Sequence, residues 1–236
     1  IGIEAHRRNR DRCMGSLYWQ INDCWPVASW SSIDYYGTWK ASQYAAKKSF
    51  QNLLISTENN QDNIDFYVIS DTLQDLPGSL NIRLIDFHGN VMAQWEKQLV
   101  VKANSSNLYF TIPKDSFSDH PDSQNMLLEA QLISFDGEKV ISENIVYLAP
   151  FKDLDLPTPE ISYDVKELQD HFQVVIRTQK LAKNVFVSAG SGLNFSDNYF
   201  DMLPNTTKTI AVKKGDLVDL KSFQVNLKVT SLVDTY

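Results

Sequence analysis

The chain has 236 residues, a formal net charge of −7 and a pI of about 5.1, with 43% hydrophobic and 22% charged residues. That acidic balance argues against nucleic acid and anionic membrane surfaces as partners, since both are bound through basic patches. No apolar run approaches the ~20 residues of a membrane span, and the length suits one or two domains with a sizeable core.

The chain opens at Ile1 rather than at a Met, already inside what reads as a charged helix. The expectation is a piece of a longer protein, with any targeting signal outside it. Residues 3–14 read as that helix, with Glu4 and Arg8 as an i,i+4 pair and Gly15 as its stop. Its basic cluster, Arg7, Arg8, Arg10 and Arg12, reads as a solvated face. Leu17 to Ile21 is a short apolar run of the kind expected of a strand buried on both faces. An irregular loop follows from Asn22 to Gly37. Thr38 then suits the cap of a helix running through Ala41, Tyr44, Ala45 and Phe50. Helix, buried strand, long loop and helix is the order of a parallel α/β fold. One such strand is not a domain, so it is expected to finish a sheet whose other strands lie upstream.

Beyond residue 55 the pattern is almost wholly strands and turns. About seven strand-like runs fill 55–150. Leu80, Ile82 and Leu84 alternate with polar neighbours, as do Leu128, Ala130 and Leu132. Turn signals stand at Pro77-Gly78, His88-Gly89-Asn90 and Asp136-Gly137. Phe151 to Pro159 reads as a Pro-bounded linker. After it, Phe172, Val174 and Ile176 alternate, as do Phe223, Val225, Leu227 and Val229, with a turn at Lys214-Gly215-Asp216. Short strands with one apolar face predict two antiparallel sandwiches.

The segment richest in chemistry is Met14 to Lys40, which holds four Trp and three Tyr in 27 residues. Aromatic faces stack on the apolar C–H faces of sugar rings, while Asn, Asp and Gln bond hydroxyls. For Trp30, Tyr35, Tyr36 and Trp39 the reading is packing, as for most large aromatics. Trp19, at the end of the expected strand, reads as sugar-facing. Asn22 and Asp23 follow it as candidate sugar ligands, with loop-structuring as the competing role of Asp23.

The run Leu17-Tyr-Trp-Gln-Ile-Asn-Asp-Cys-Trp-Pro-Val-Ala-Ser-Trp-Ser-Ser-Ile-Asp-Tyr-Tyr-Gly-Thr-Trp-Lys40 resembles the end of the catalytic barrel in β-mannosidases of glycoside hydrolase family 2. Asn194 to Pro204 resembles part of that family's terminal sandwich. The resemblance implies a mainly β fold: two immunoglobulin-like sandwiches, residues 55–152 and 153–236, preceded over 1–54 by the last α/β segment of a (β/α)8 barrel. It implies that Trp19 lines the sugar subsite of an exo-acting retaining enzyme. The substrate would be a terminal β-mannoside or manno-oligosaccharide, and the partners the remaining N-terminal domains of the same chain. A bacterial enzyme of this kind would be periplasmic or secreted, an animal one lysosomal. Retaining hydrolysis needs two carboxylates ~5–5.5 Å apart. In the family both are glutamates upstream of this segment, so no catalytic residue is assigned here and the piece alone is expected to be inactive. The alternatives are a carbohydrate-binding pair of sandwiches and a related exo-β-glucosaminidase. Trp95, the only Trp beyond residue 39, makes a thin binding platform.

The remaining constellations are weaker. Cys13 and Cys24 read as free thiols, and neither they nor His6, His88, His120 and His171 have metal-ligand spacing. Asp197, Asn198 and Asp201 lack calcium-loop spacing and read as turn chemistry, with Tyr199 and Phe200 tucked in as anchors. No cofactor or metal is expected. Sequons stand at Asn104, Asn194 and Asn205, relevant only in a eukaryotic secretory compartment.

Overall fold

A computed structural model of the chain describes residues 2–117, 122–190, 192–214 and 219–235. The chain divides into two compact units. The first comprises Ile1–Leu17, Lys47–Asp86 and Asn90–Asp155; the second comprises Tyr18–Ala46, Phe87–Gly89 and Leu156–Tyr236. Each is mainly antiparallel β.

Seven strands build the first unit: β1 (Leu53–Asn59), β2 (Asn63–Ser70), β3 (Leu76–Asp86), β4 (Val91–Val101), β5 (Ser105–Pro113), β6 (Met126–Ser134) and β7 (Val140–Tyr147). They form one sheet in the order β1-β2-β5 and another in the order β4-β3-β6-β7. The two alternating runs read from the sequence are direct neighbours. Leu80 faces Leu132, Ile82 faces Ala130 and Leu84 faces Leu128, all buried. Side chains in a strand alternate between faces, so this register turns Arg83 and Glu129 to the other side. There their side chains form a charge-assisted pair. The core between the sheets adds Ile55, Ile64, Phe66, Val68 and Ile112. Trp95, opposite Ile82, packs against it and is not a free platform.

Two readings of this unit need correction. Pro77-Gly78 is no turn; both residues lie inside β3. A Cβ on Gly78 would stand 2.5 Å from the Ile133 carbonyl oxygen, so the glycine permits close strand approach. In the arginine cluster Arg12 is exposed, but Arg7, Arg8 and Arg10 are not a solvated face. The first helix, α1, spans only Gly2–Arg8 and buries none of its residues fully. It is held through guanidinium forks instead. Arg7 donates to the carbonyls of Ser49 and Gln51 and pairs with Asp71 at 2.7 Å. Arg8 donates to Ser56 Oγ and the Thr57 carbonyl, and Arg10 to the Ser70 carbonyl, Asp71 and Asn104. The side chains of Arg7 and Arg8 are only 11% and 12% exposed. A guanidinium has five fixed donors and no acceptor, which suits it to gathering several backbone carbonyls at once. Sequence periodicity does not register such contacts, because the partners lie 42 or more residues away.

In the second unit, β8 (Ser162–Glu167), β9 (His171–Thr178) and β12 (Thr206–Lys213) make one sheet in the order β12-β9-β8. Strands β10 (Ala182–Ser188), β11 (Phe200–Met202) and β13 (Lys228–Thr230) make the other, in the order β11-β10-β13. Phe172, Val174 and Ile176 are buried as their alternation predicts. The run from Phe223 to Val229 is not one strand. Leu220–Asn226 is a helix, capped by the Asp219 carboxylate accepting the Ser222 N–H at 2.8 Å. Phe223 and Leu227 stand four residues apart, so they share a helix face as readily as a strand face. Both are buried, and Val225 turns outward at 75% exposure. The expected turn at Gly215 and Asp216 lies outside the described residues, as does His120.

The second helix of the chain, α2 (Ala41–Ser49), begins three residues after Thr38. Thr38 does not cap it; its Oγ1 accepts the Gly192 N–H at 3.2 Å. No strand forms over Leu17 to Ile21. Leu17, Trp19 and Ile21 are exposed. A two-faced buried strand needs flanking strands and covering layers, and none of the described residues supplies them there.

Candidate functional site

The aromatic segment from Tyr18 to Lys40 is part of the second unit. A short parallel bridge joins Asn22 to Ile33. The Ile33 N–H donates to the Ile21 carbonyl at 2.8 Å, and the Asp23 N–H donates to the Ile33 carbonyl at 3.1 Å. This closes residues 24–32 into a loop that carries Trp25 and Trp30 outward, 65% and 76% exposed. Trp19 is 78% exposed, and its peptide bond to Gln20 is cis.

The three candidate sugar ligands part company. Trp19 and Asn22 face outward, while Asp23 turns inward and is 5% exposed. Its Oδ1 accepts the Ser29 hydroxyl at 2.5 Å. Its Oδ2 accepts the Ser31 hydroxyl at 2.7 Å and the Lys40 ammonium at 3.3 Å. The Lys40 Nζ also lies 2.7 Å from Ser31 Oγ. Both carboxylate oxygens are therefore engaged inside the loop. The arrangement is that of a loop brace, the competing role named for Asp23 above. Ser29, Ser31 and Lys40 were not singled out by the sequence; spacings of six, eight and seventeen residues from Asp23 form no recognisable motif.

The bonds from Ser29 and then Ser31, joined by Lys40 and outweighing burial, hold the Asp23 carboxyl below its ordinary value of 3.8. A depressed folded pKa stabilises the brace fully above the unfolded value, and that stabilisation is lost as pH falls through the folded one. The expected result is that fluorescence of the exposed tryptophans reports loop release as pH drops below about 3.8. Asp23→Asn should lack that acid-dependent step. An identical titration in wild type and Asp23→Asn would contradict the brace.

Of the four aromatics read as packing, Trp39 packs. Trp39 meets Tyr44 edge-on at 5.3 Å, and buried Tyr44 donates its hydroxyl to the Phe195 carbonyl at 3.2 Å. Burial pushes the Tyr44 hydroxyl up to about 12, so it remains a donor at neutral pH. Trp30, Tyr35 and Tyr36, read as packing, are exposed.

The acidic loop near Asn198 is structural. Asn198 receives the Val187 N–H and donates to the Val187 carbonyl, each at 2.8 Å. Asp197 pairs with Lys208 at 2.7 Å, and Asp201 accepts the Asn184 N–H at 2.7 Å. Tyr199 stacks on Phe186 at 4.9 Å. Among the described residues, no three His, Cys, Asp or Glu side chains gather as a metal site, and both cysteines are free thiols. Among the described residues, no helix is long and apolar enough to cross a membrane.

Comparison with known proteins places this architecture. Residues 62–153 match the model of the mannosidase Ig/CBM-like domain, and residues 156–235 match a model described as an Ig-fold domain. The β-mannosidase of Bos taurus is 29% identical over 99% of the chain, and β-mannosidase A of Neosartorya fischeri is 29% identical over 92%. Among solved structures, β-D-mannosidase from Dictyoglomus thermophilum superposes with a TM-score of 0.84 at 30% identity over 98% of the chain. An exo-chitosanase from Amycolatopsis orientalis superposes at 0.72 over 97% of the chain with 19% identity, which shows a shared fold alone. The chain belongs to the β-mannosidase family through its two Ig-like domains. It spans 28%, 25% and 28% of the bovine, fungal and Dictyoglomus proteins respectively.

Proposed function

We propose that this chain is the C-terminal part of an exo-acting retaining β-mannosidase of glycoside hydrolase family 2. In this reading residues 1–54 complete a (β/α)8 barrel whose other strands come from upstream residues of the same protein. The sandwiches, 55–152 and 153–236, buttress that barrel, and Trp19 and Asn22 contribute to the sugar pocket. The observation that carries the reading is the outward-facing aromatic segment on a chain matched to β-mannosidases over nearly its whole length. An exposed apolar run of this kind, held in place by polar braces beneath it, is a surface built to be covered. Asp23 enters as the brace of that wall, not as a sugar ligand.

The reaction needs an acid/base carboxyl and a nucleophile, both of which this reading places upstream. Purified residues 1–236 should give no turnover of an aryl β-mannoside above a buffer blank. The full-length protein should hydrolyse it with retention at the anomeric carbon, and far faster than the matching aryl β-glucosaminide. Turnover by the 236-residue chain alone would overturn the division of labour. Preference for the β-glucosaminide would move the protein to the related exo-glucosaminidases.

A further inference from the structure

Asn194 lies between β10 and β11, and its side-chain amide reads the backbone of the aromatic segment. Its Oδ1 accepts the Trp39 N–H at 2.8 Å, and its Nδ2 donates to the Gly37 carbonyl at 2.8 Å. A primary amide presents a donor and an acceptor side by side, so it mimics a neighbouring strand and fixes the strip it pairs with. The support under Asn194 is firm. Phe195, next in sequence, is buried and bridges to Val212. Flanking contacts repeat the connection, with the Gly192 N–H on Thr38 Oγ1 and the Tyr44 hydroxyl on the Phe195 carbonyl. The strip leads straight into the brace: Lys40, whose ammonium meets Asp23 and Ser31, also donates its N–H to the Ser32 carbonyl at 2.9 Å.

We propose that Asn194 is a positioning residue through which the terminal sandwich fixes the Gly37–Lys40 strip and, through Lys40, the loop carrying Trp25 and Trp30. Its consequence for catalysis rests on the pocket reading given above. The proposal gives the terminal sandwich a part in shaping the site beyond buttressing.

The test uses the full-length protein with Asn194→Ala, Asn194→Asp and Ile210→Val. The last thins the same unit's core at a buried position. Amide exchange at Trp39 is the direct readout. Asn194→Ala should accelerate it by about tenfold or more, in line with the loss of two hydrogen bonds. Asn194→Asp keeps the acceptor for Trp39 but loses the donor to Gly37, so it should fall between; Ile210→Val should match wild type. The kcat/KM for an aryl β-mannoside should follow the same order, falling about tenfold in Asn194→Ala at a melting temperature no lower than that of Ile210→Val. Unchanged Trp39 exchange in Asn194→Ala would overturn the clamp. Faster exchange with undiminished kcat/KM would overturn its role in the site. Faster exchange in a full-length protein that cleaves neither aryl glycoside would uphold the clamp and sink the mannosidase reading instead.

Discussion

Trp19→Ala in the full-length protein is expected to lower kcat/KM for an aryl β-mannoside by roughly 30- to 1000-fold, about 2–4 kcal/mol at ~1.4 kcal/mol per tenfold. An indole wall is apolar and planar, and its contact with a pyranose depends on ring shape, which changes at the transition state. The loss should therefore appear in kcat/KM and not in KM alone. The structure sharpens the control. With Trp19 78% exposed on this chain, its truncation removes little of the chain's own packing. The melting of the isolated 236 residues should move by no more than about 0.5 kcal/mol, the usual range for surface substitutions. Wild-type kcat/KM in a variant that melts normally would remove Trp19 from the sugar pocket. A large stability loss in the isolated chain would instead assign it to packing that the structure does not show.

Phe223→Ala is expected to destabilise the second unit by about 3–5 kcal/mol. Phe223 is fully buried, stacks on Phe172 at 4.4 Å with the rings 17° from parallel, and lies 6.5 Å from Phe195. At roughly 4–8 °C per kcal/mol for a domain of this size, the transition of that unit should fall by about 12 °C or more. Val225→Ala is the companion measurement. In a continuous strand Val225 would share the inward face with Phe223 and Leu227, and its truncation would be costly. On the helix it points outward, so the variant should stay within about 0.5 kcal/mol of wild type. Comparable losses in both variants would restore the strand.

The two residues show where sequence and structure diverge. Alternation in β3, β6 and β9 was legible because each run lies on a two-sided sheet, where a period of two decides which side chains are buried. The resulting class, two antiparallel sandwiches, follows from the sequence by itself, as does the likeness to β-mannosidases carried by the Leu17–Lys40 run, which implies their Ig-like form. The apolar spacing of Phe223 and Leu227 satisfies both periods. The structure resolves it as a helix, capped by Asp219 and with Phe223 stacked on Phe172.

The site divides in the same way. The aromatic density of Met14 to Lys40 marks where sugar chemistry belongs, since composition alone concentrates four indoles there. Which of its side chains face outward was not legible. Asp23 carries the same letter whether it bonds a hydroxyl of a sugar or of Ser29 and Ser31, and only the fold brings those serines and Lys40 to its two oxygens. The arginines of α1 and the amide of Asn194 belong to this second class. Their backbone partners lie 42 to 157 residues away. Every residue type offers those same groups, so the pairing leaves no mark in the sequence and is settled by tertiary proximity.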